Sequence, residues 1–252
     1  MTRMEIGPGR IKLLLLPVLV VAVELGVYLY ITNTQVESRI QQSVEDILLS
    51  RSALQSALLR HVELVSVAFV ITAAVGLPLA VALFRSGPLV RVPVLALASL
   101  GQAIPSIALL VLASTYIGLG IKPTVFALVI FALLPLLRNT LVGLEGVDAA
   151  AVEAARGMGM TDLQILLRVQ VPLAAPVIMA GLRTSLVLIV GTATLGNFIG
   201  GGGLGDIIAE GIGASPTIGP RIVLAGAAMA AGLALFADWL MSLLTRVVVP
   251  RT

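Results

Sequence analysis

Residues 144–172 read LEGVDAAAVEAARGMGMTDLQILLRVQVP, flanked by PTVFALVIFALLPLLRNTLVG at 123–143 and LAAPVIMAGLRTSLVLIVGTATLGNFI at 173–199. Each flank is an apolar run of the length that a helix needs to cross a hydrocarbon core, about 20 residues. The segment between them is small, polar and charged. The chain therefore crosses a membrane, makes one substantial excursion on a single face and crosses back. Similar runs precede this unit at approximately 13–31, 61–84 and 90–118, and another follows at 221–245. The pattern predicts an all-α integral membrane protein with about six transmembrane helices.

Composition points the same way. Of 252 residues, 58% are hydrophobic and 12% charged, and mean hydropathy is +1.09. A soluble domain carries about 25% charged residues, so an ordinary soluble domain is excluded; disorder, which needs low hydrophobicity and high net charge, is excluded too. The absence of cysteine removes disulfides, thiolate metal sites and cysteine nucleophiles. His61 is the single histidine, so no HExxH helix or His-rich metal site is available. Lys12 and Lys122 both follow isoleucine, so no GxxxxGK[ST] phosphate loop exists and an ATPase of that type must come from elsewhere. No catalytic residue and no metal site is assigned to the chain.

The net charge of +3 and pI near 9.8 follow topology rather than nucleic acid. With the N-terminus inside, Arg3, Arg10, Lys12, Arg85, Arg91, Arg138, Arg156, Arg168, Arg246 and Arg251 fall on the cytoplasmic side. Arg39, Arg51, Arg60, Lys122 and Arg221 fall outside, and Arg183 lies within a span. That excess of inner cations places both termini in the cytoplasm. Tyr28, Tyr30 and Tyr116 then sit at outer ends and Trp239 near an inner end, as aromatic belts do. The run at 13–31 is read as a retained anchor, since no A-x-A cleavage site follows it. Thr32–Leu59 is read as an external linker ending in a short amphipathic helix. The expected organisation is anchor and linker over 1–56, a five-helix core over 57–246 and a cytoplasmic tail over 247–252. Six helices make a thin wall for a pathway, so a second subunit is expected beside this one.

Within 144–172, Asp148 is placed to cap a helix through Ala149–Arg156, where Glu153 and Arg156 are spaced to pair. Gly157 and Gly159 break it. Thr161 and Gln164 form a capping box for a second helix, with Leu163, Leu166 and Leu167 as its apolar stripe and Pro172 as its stop. Such a helix–glycine turn–helix protrusion suits docking of a soluble partner; a hairpin packed on itself reads the same way.

The run Glu153-Ala154-Ala155-x3-Gly159-x9-Val169-x-Val171-Pro172 resembles the EAA motif of permease subunits of ATP-binding-cassette (ABC) importers, whose usual ending is I-x-L-P. The segments Gly101-Gln102-Ala103-Ile104-Pro105-Ser106, Leu134-Pro135-Leu136-Leu137-Arg138-Asn139-Thr140, Thr192–Gly200 and Gly202-Gly203-Leu204-Gly205-Asp206 extend the resemblance to permeases for glycine betaine, choline, carnitine and related osmoprotectants. It covers roughly residues 57–246. The resemblance implies a type I ABC importer (MetI-like) permease fold in a bacterial plasma (inner) membrane. It further implies a coupling helix carrying Glu153, Ala154, Ala155, Gly157, Gly159, Leu163 and Pro172, seated in a separate nucleotide-binding ATPase subunit. ATP and Mg would be used by that subunit, with no cofactor on this chain. A second permease chain, the same or homologous, and an external substrate-binding protein complete the expected partners, along with the lipid bilayer and without nucleic acid.

Inside the spans, Gln102, Pro105, Ser106, Asn139, Thr192, Thr194 and Asn197 either line a translocation pathway or hydrogen-bond between helices. Glu24, Arg183 and Asp238 are costly in a membrane and are read as structural pairing, and His61 as an interfacial residue without duty. Gly202, Gly203, Gly205 and Asp206 form an external gate or docking loop. Gly203-x-Gly205-Asp206 also matches the GxGD signature of intramembrane aspartyl proteases, but the Tyr-Asp pair that would hold the second carboxylate is absent. Cargo is less determined. Quaternary ammonium groups are held by aromatic cages, and only 4% of the chain is aromatic. Selectivity is therefore expected in the binding protein, and another small molecule, such as an amino acid derivative, is the alternative cargo.

Overall fold

The computed structural model describes residues 8–33 and 39–248, and every regular element among them is helical. Arg3, Glu37 and residues 249–252 of the expected tail lie outside the described residues. The chain folds as α1 (Pro8–Asn33), α2 (Arg39–Leu48), α3 (Arg51–Arg85), α4 (Pro88–Ala103), α5 (Ser106–Ile117) and α6 (Ile121–Glu145). Then come α7 (Ala149–Gly157), α8 (Asp162–Ile165), α9 (Val171–Ala193), α10 (Leu204–Gly213) and α11 (Gly219–Val248).

Helices α3, α6 and α11 run in one direction and α9 returns between them. Their shared core includes Leu64, Ala68, Leu128, Ala132, Ile189 and Val190. The long spans bury only 28–50% of their apolar windows, so much apolar surface faces outward. Water would penalise that surface at about 25 cal/mol per Å², which lipid or a neighbouring chain removes. Four helices among the described residues are long and apolar enough to cross unbroken; α4 and α5 make a fifth only as a bent pair, and Leu15–Ile31 of α1 is a shorter apolar helix.

The bend corrects the single span expected over 90–118. Proline at 105 has no N–H to continue the ladder and drives its predecessor out of the helical region. Ile104 is accordingly extended (φ −72°, ψ 130°), and α4 and α5 diverge by 103°. The span expected at 173–199 is α-helical only to Ala193 and tightens to a 3₁₀ turn over Thr194–Ile199. At the other end of that span, Pro172 does not stop the preceding helix. The backbone widens to a π turn over Leu166–Gln170, with the Val171 N–H reaching the Leu166 carbonyl, and α9 continues through Pro172. A π turn offsets the ladder by one residue, so a residue without an N–H is accommodated there.

Helix α3 begins at Arg51, capped by the Ser50 hydroxyl on the Ala53 N–H at 3.2 Å, so residues assigned to the linker belong to a span-forming helix. The amphipathic helix of the linker is α2. It is pinned by a buried ion pair, Glu45 to Arg221 at 3.0 Å, while Arg221 also donates to the Ile31 carbonyl at the end of α1. Gln41 Nε2 donates to Ser215 Oγ at 3.1 Å. One cation thus ties α1, α2 and α11 together. Burial pushes the Glu45 carboxyl up, opposed by the neighbouring Arg221. Arg183 on α9 and Asp238 on α11 form a two-point ion pair, the structural pairing read from the sequence, and Glu24 lies against Gly232 of α11.

Candidate functional site

The segments singled out in the sequence lie at two ends of the bundle. At one, α7 and α8 form a lobe beneath α6 and α9. The Asp148 carboxylate accepts from the Ala150 N–H at 2.9 Å, which starts α7. Gly159, at φ +80°, makes the left-handed turn that a β-carbon disfavours. Thr161 and Gln164 close the capping box with mutual bonds of 2.9 and 3.4 Å. On the inner side, Ala155, Ile165 and Leu166 are buried, with Leu166 packed on Leu144, Ala174 and Phe84. On the other side, Met158, Leu163 and Leu167 are 71%, 54% and 57% exposed. The expected stripe is thus split: Leu166 holds the lobe to the bundle, and Leu163 and Leu167 face away from it. Glu153, Ala154 and Gly157 share that exposure, while Ala155 does not and Pro172 is half-buried. Arg156 pairs with Asp162 at 3.6 Å, not with Glu153 as its spacing suggested, because the turn at Gly159 folds α8 back beside α7.

Between the ends, of the polar residues expected along a pathway, Gln102 bonds across to another helix, while Asn139 and Thr194 bond back to the preceding turn of their own. Gln102 Nε2 donates to the Phe131 carbonyl at 3.0 Å, Asn139 Nδ2 to the Pro135 carbonyl at 2.8 Å and Thr194 Oγ1 to the Gly191 carbonyl at 2.7 Å. Ser106, Thr192 and Asn197 are half-buried and Pro105 is exposed. Ser185, which the sequence reading passed over, joins α9 to α6 through the Ala132 carbonyl at 2.8 Å.

The opposite end is built around the glycine loop. A β-carbon on Gly205 would stand 1.9 Å from the Thr194 carbonyl oxygen, so only glycine lets α10 cross the end of α9 at this depth. Arg60 Nε donates to the Gly201 carbonyl at 3.2 Å, and its guanidinium pairs with Glu63 at 3.0 Å. Leu48, Ala57, Arg60, Gly202, Asp206 and Glu210 line a cavity of ≈ 430 Å³. Burial pushes the Asp206 carboxyl up, partly offset by Arg60. His61 is not an idle interfacial residue. It is 0% exposed, with Nε2 at 3.1 Å from the Val190 carbonyl and Nδ1 accepting from the Leu204 N–H at 3.4 Å.

Residues 72–249 match the family described as binding-protein-dependent transport system inner membrane component. The chain is 40% identical over 191 residues to the carnitine transport permease protein OpuCD of Listeria monocytogenes, covering 76% of this chain and 84% of that one. It is 42% identical over 178 residues to the glycine betaine/carnitine/choline transport system permease protein OpuCD of Bacillus subtilis (71% and 76% covered). It is 38% identical over 203 residues to the osmoprotectant import permease protein OsmW of Salmonella typhimurium (79% and 93%). Among solved structures, the inward-facing MetNI methionine ABC transporter aligns with a TM-score of 0.69 at 24% identity, covering 78% of this chain and 96% of that one. At that identity the likeness speaks for the fold.

Proposed function

Because the chain belongs to the family of binding-protein-dependent transport system inner membrane components, we propose that it forms part of the translocation pathway of an ATP-driven importer for glycine betaine-, choline- or carnitine-type osmoprotectants. The cargo is drawn from the names of its relatives. The α7–α8 lobe faces the cytoplasm together with both termini, and the glycine loop faces outward. Hydrolysis belongs to a separate subunit that holds ATP and Mg, and this chain contributes no chemistry of its own.

The observation that carries the reading is the lobe, with Ala155 and Leu166 buried inward while Met158, Leu163 and Leu167 stand exposed on two short helices joined at Gly159. A surface of that size and character seats in a groove of the ATPase subunit. When two such subunits close on ATP, the lobe moves as a lever and the helices rock between inward and outward access. A second permease chain covers the outward apolar faces and completes the pathway. An external binding protein docks on the glycine-loop end and supplies the selectivity that this aromatic-poor chain lacks.

Gly159→Asp, which strains the left-handed turn at φ +80° although open space surrounds the missing β-carbon, abolishes ATP-driven uptake while membrane insertion stays intact. Normal uptake by that variant would sink the coupling assignment. Purification in mild detergent brings down an ATPase subunit, and transport by the chain alone would refute the arrangement.

A further inference from the structure

His61 closes two helix ends at once. The Val190 carbonyl belongs to the last turn of α9, where the backbone tightens to 3₁₀ at Thr194 and the final carbonyls lose their α-helical donors. The Leu204 N–H opens α10 and has no intrahelical acceptor. Gly203, which precedes α10 as its cap at φ +97°, offers no side-chain oxygen. His61 Nε2 lies 3.1 Å from the first group and Nδ1 lies 3.4 Å from the second. A backbone N–H can only donate, so Nδ1 must be the unprotonated acceptor. Nε2 must then carry the proton that the carbonyl accepts. The contacts thus select the neutral ring and one of its two tautomers. Gly203 completes the fit, since a β-carbon there would stand 3.0 Å from Nδ1 and 3.2 Å from the His61 α-carbon.

We propose that His61 is the positioning residue of the outer gate: its neutral Nε2–H form holds the glycine loop and the start of α10 against α3 and α9, and protonation releases them. A proton added at Nδ1 turns an acceptor into a donor facing the Leu204 N–H, so the bond is replaced by a donor–donor clash in a fully buried site. The charged groups nearby are Arg60 and Glu63 on α3, which pair with each other, and Asp206 and Glu210 on α10. The turn of α9 that carries Val190 is uncharged, and α6 contributes Lys122 in its first turn. Neither His61 nitrogen forms an ion pair with any of them among the described residues. The proposal rests on reading this end as the outer gate of a permease.

The test uses the assembled transporter in lipid nanodiscs and in vesicles, with pH varied only on the glycine-loop side. The variants are His61→Gln, whose side-chain amide keeps one acceptor and one donor but takes up no proton, and His61→Leu, which keeps bulk without either. Between about pH 7.5 and about pH 5, a range that reaches below ordinary histidine titration, wild-type exchange at the Leu204–Asp206 amides rises about tenfold beyond the intrinsic rate change, and uptake falls. His61→Gln holds both constant, and His61→Leu exchanges fast at either pH. Acid sensitivity of the Gln variant equal to wild type would overturn the proposal, as would retained amide protection in the Leu variant. Absence of ATP-driven uptake by wild type at the higher pH would instead overturn the permease reading, whatever the amides do.

Discussion

Gln102 donates its side-chain amide to the backbone carbonyl of Phe131 across 3.0 Å, and Phe131 stands four residues before Pro135 in α6. That carbonyl is the one a proline at 135 leaves without its α-helical donor. The glutamine of α4 therefore supplies the hydrogen bond that α6 forgoes by carrying a proline, in surroundings where water is scarce. Gln102→Leu should destabilise the transporter by about 1 kcal/mol, the usual size of such interhelical bonds in membranes. Adding Pro135→Ala restores the backbone donor, so the double variant should lose less than the two singles together. Thermal unfolding of the purified complex in a double-mutant cycle checks this, and strict additivity would contradict it.

That pairing also marks how far sequence reading reaches. Gln102 stood out as a polar residue inside a span, three residues before Pro105. Which carbonyl it would meet depends on how α4 lies across α6, and periodicity contains no such information. The caps of the lobe were legible, since Asp148 and the Thr161–Gln164 box act over two or three residues. The passage through Pro172 was not, because a π turn shifts the backbone ladder without a local side-chain signature. Buried long-range contacts such as His61 with Val190 join residues 129 positions apart, and only the packed fold brings them together.

The two faces of the lobe should respond oppositely to substitution. Leu166 is 3% exposed, so Leu166→Ala should cost about 2–5 kcal/mol through lost burial and a cavity, seen as a lower unfolding temperature. Leu163→Glu with Leu167→Glu, both on the exposed face, should leave unfolding unchanged yet abolish copurification of the ATPase subunit. Retained copurification would remove these leucines from the contact.

Gly205 and Gly191 form a matched control. A β-carbon at 205 meets the Thr194 carbonyl at 1.9 Å, while at 191 nothing lies within 4 Å. Gly205→Ala should force α10 away from α9 at a cost of about 3 kcal/mol or more, lowering yield and thermal stability. Gly191→Ala should fold like wild type. Equal stability of the two would mean that α10 does not cross α9 as closely as described.

The buried pair of Glu45 and Arg221 yields an asymmetric prediction. Removing one partner of such a pair strands the other, at about 3–5 kcal/mol, whereas replacing both can be close to neutral. Arg221→Met removes the cation that opposes the burial-driven rise of the Glu45 carboxyl and the donor to Ile31 at the end of α1. Without that cation, burial acts on the Glu45 carboxyl unopposed and raises further the pH at which it ionises. The damage should therefore be worst at high pH, where the stranded group is ionised, and should ease as pH falls through its raised pKa. Limited proteolysis between α1 and α3 should show α2 released in Arg221→Met and held again in Glu45→Gln/Arg221→Met, with the double variant insensitive to pH over that range. If the double variant is cut as fast as the single, α2 is fastened by contacts other than this pair.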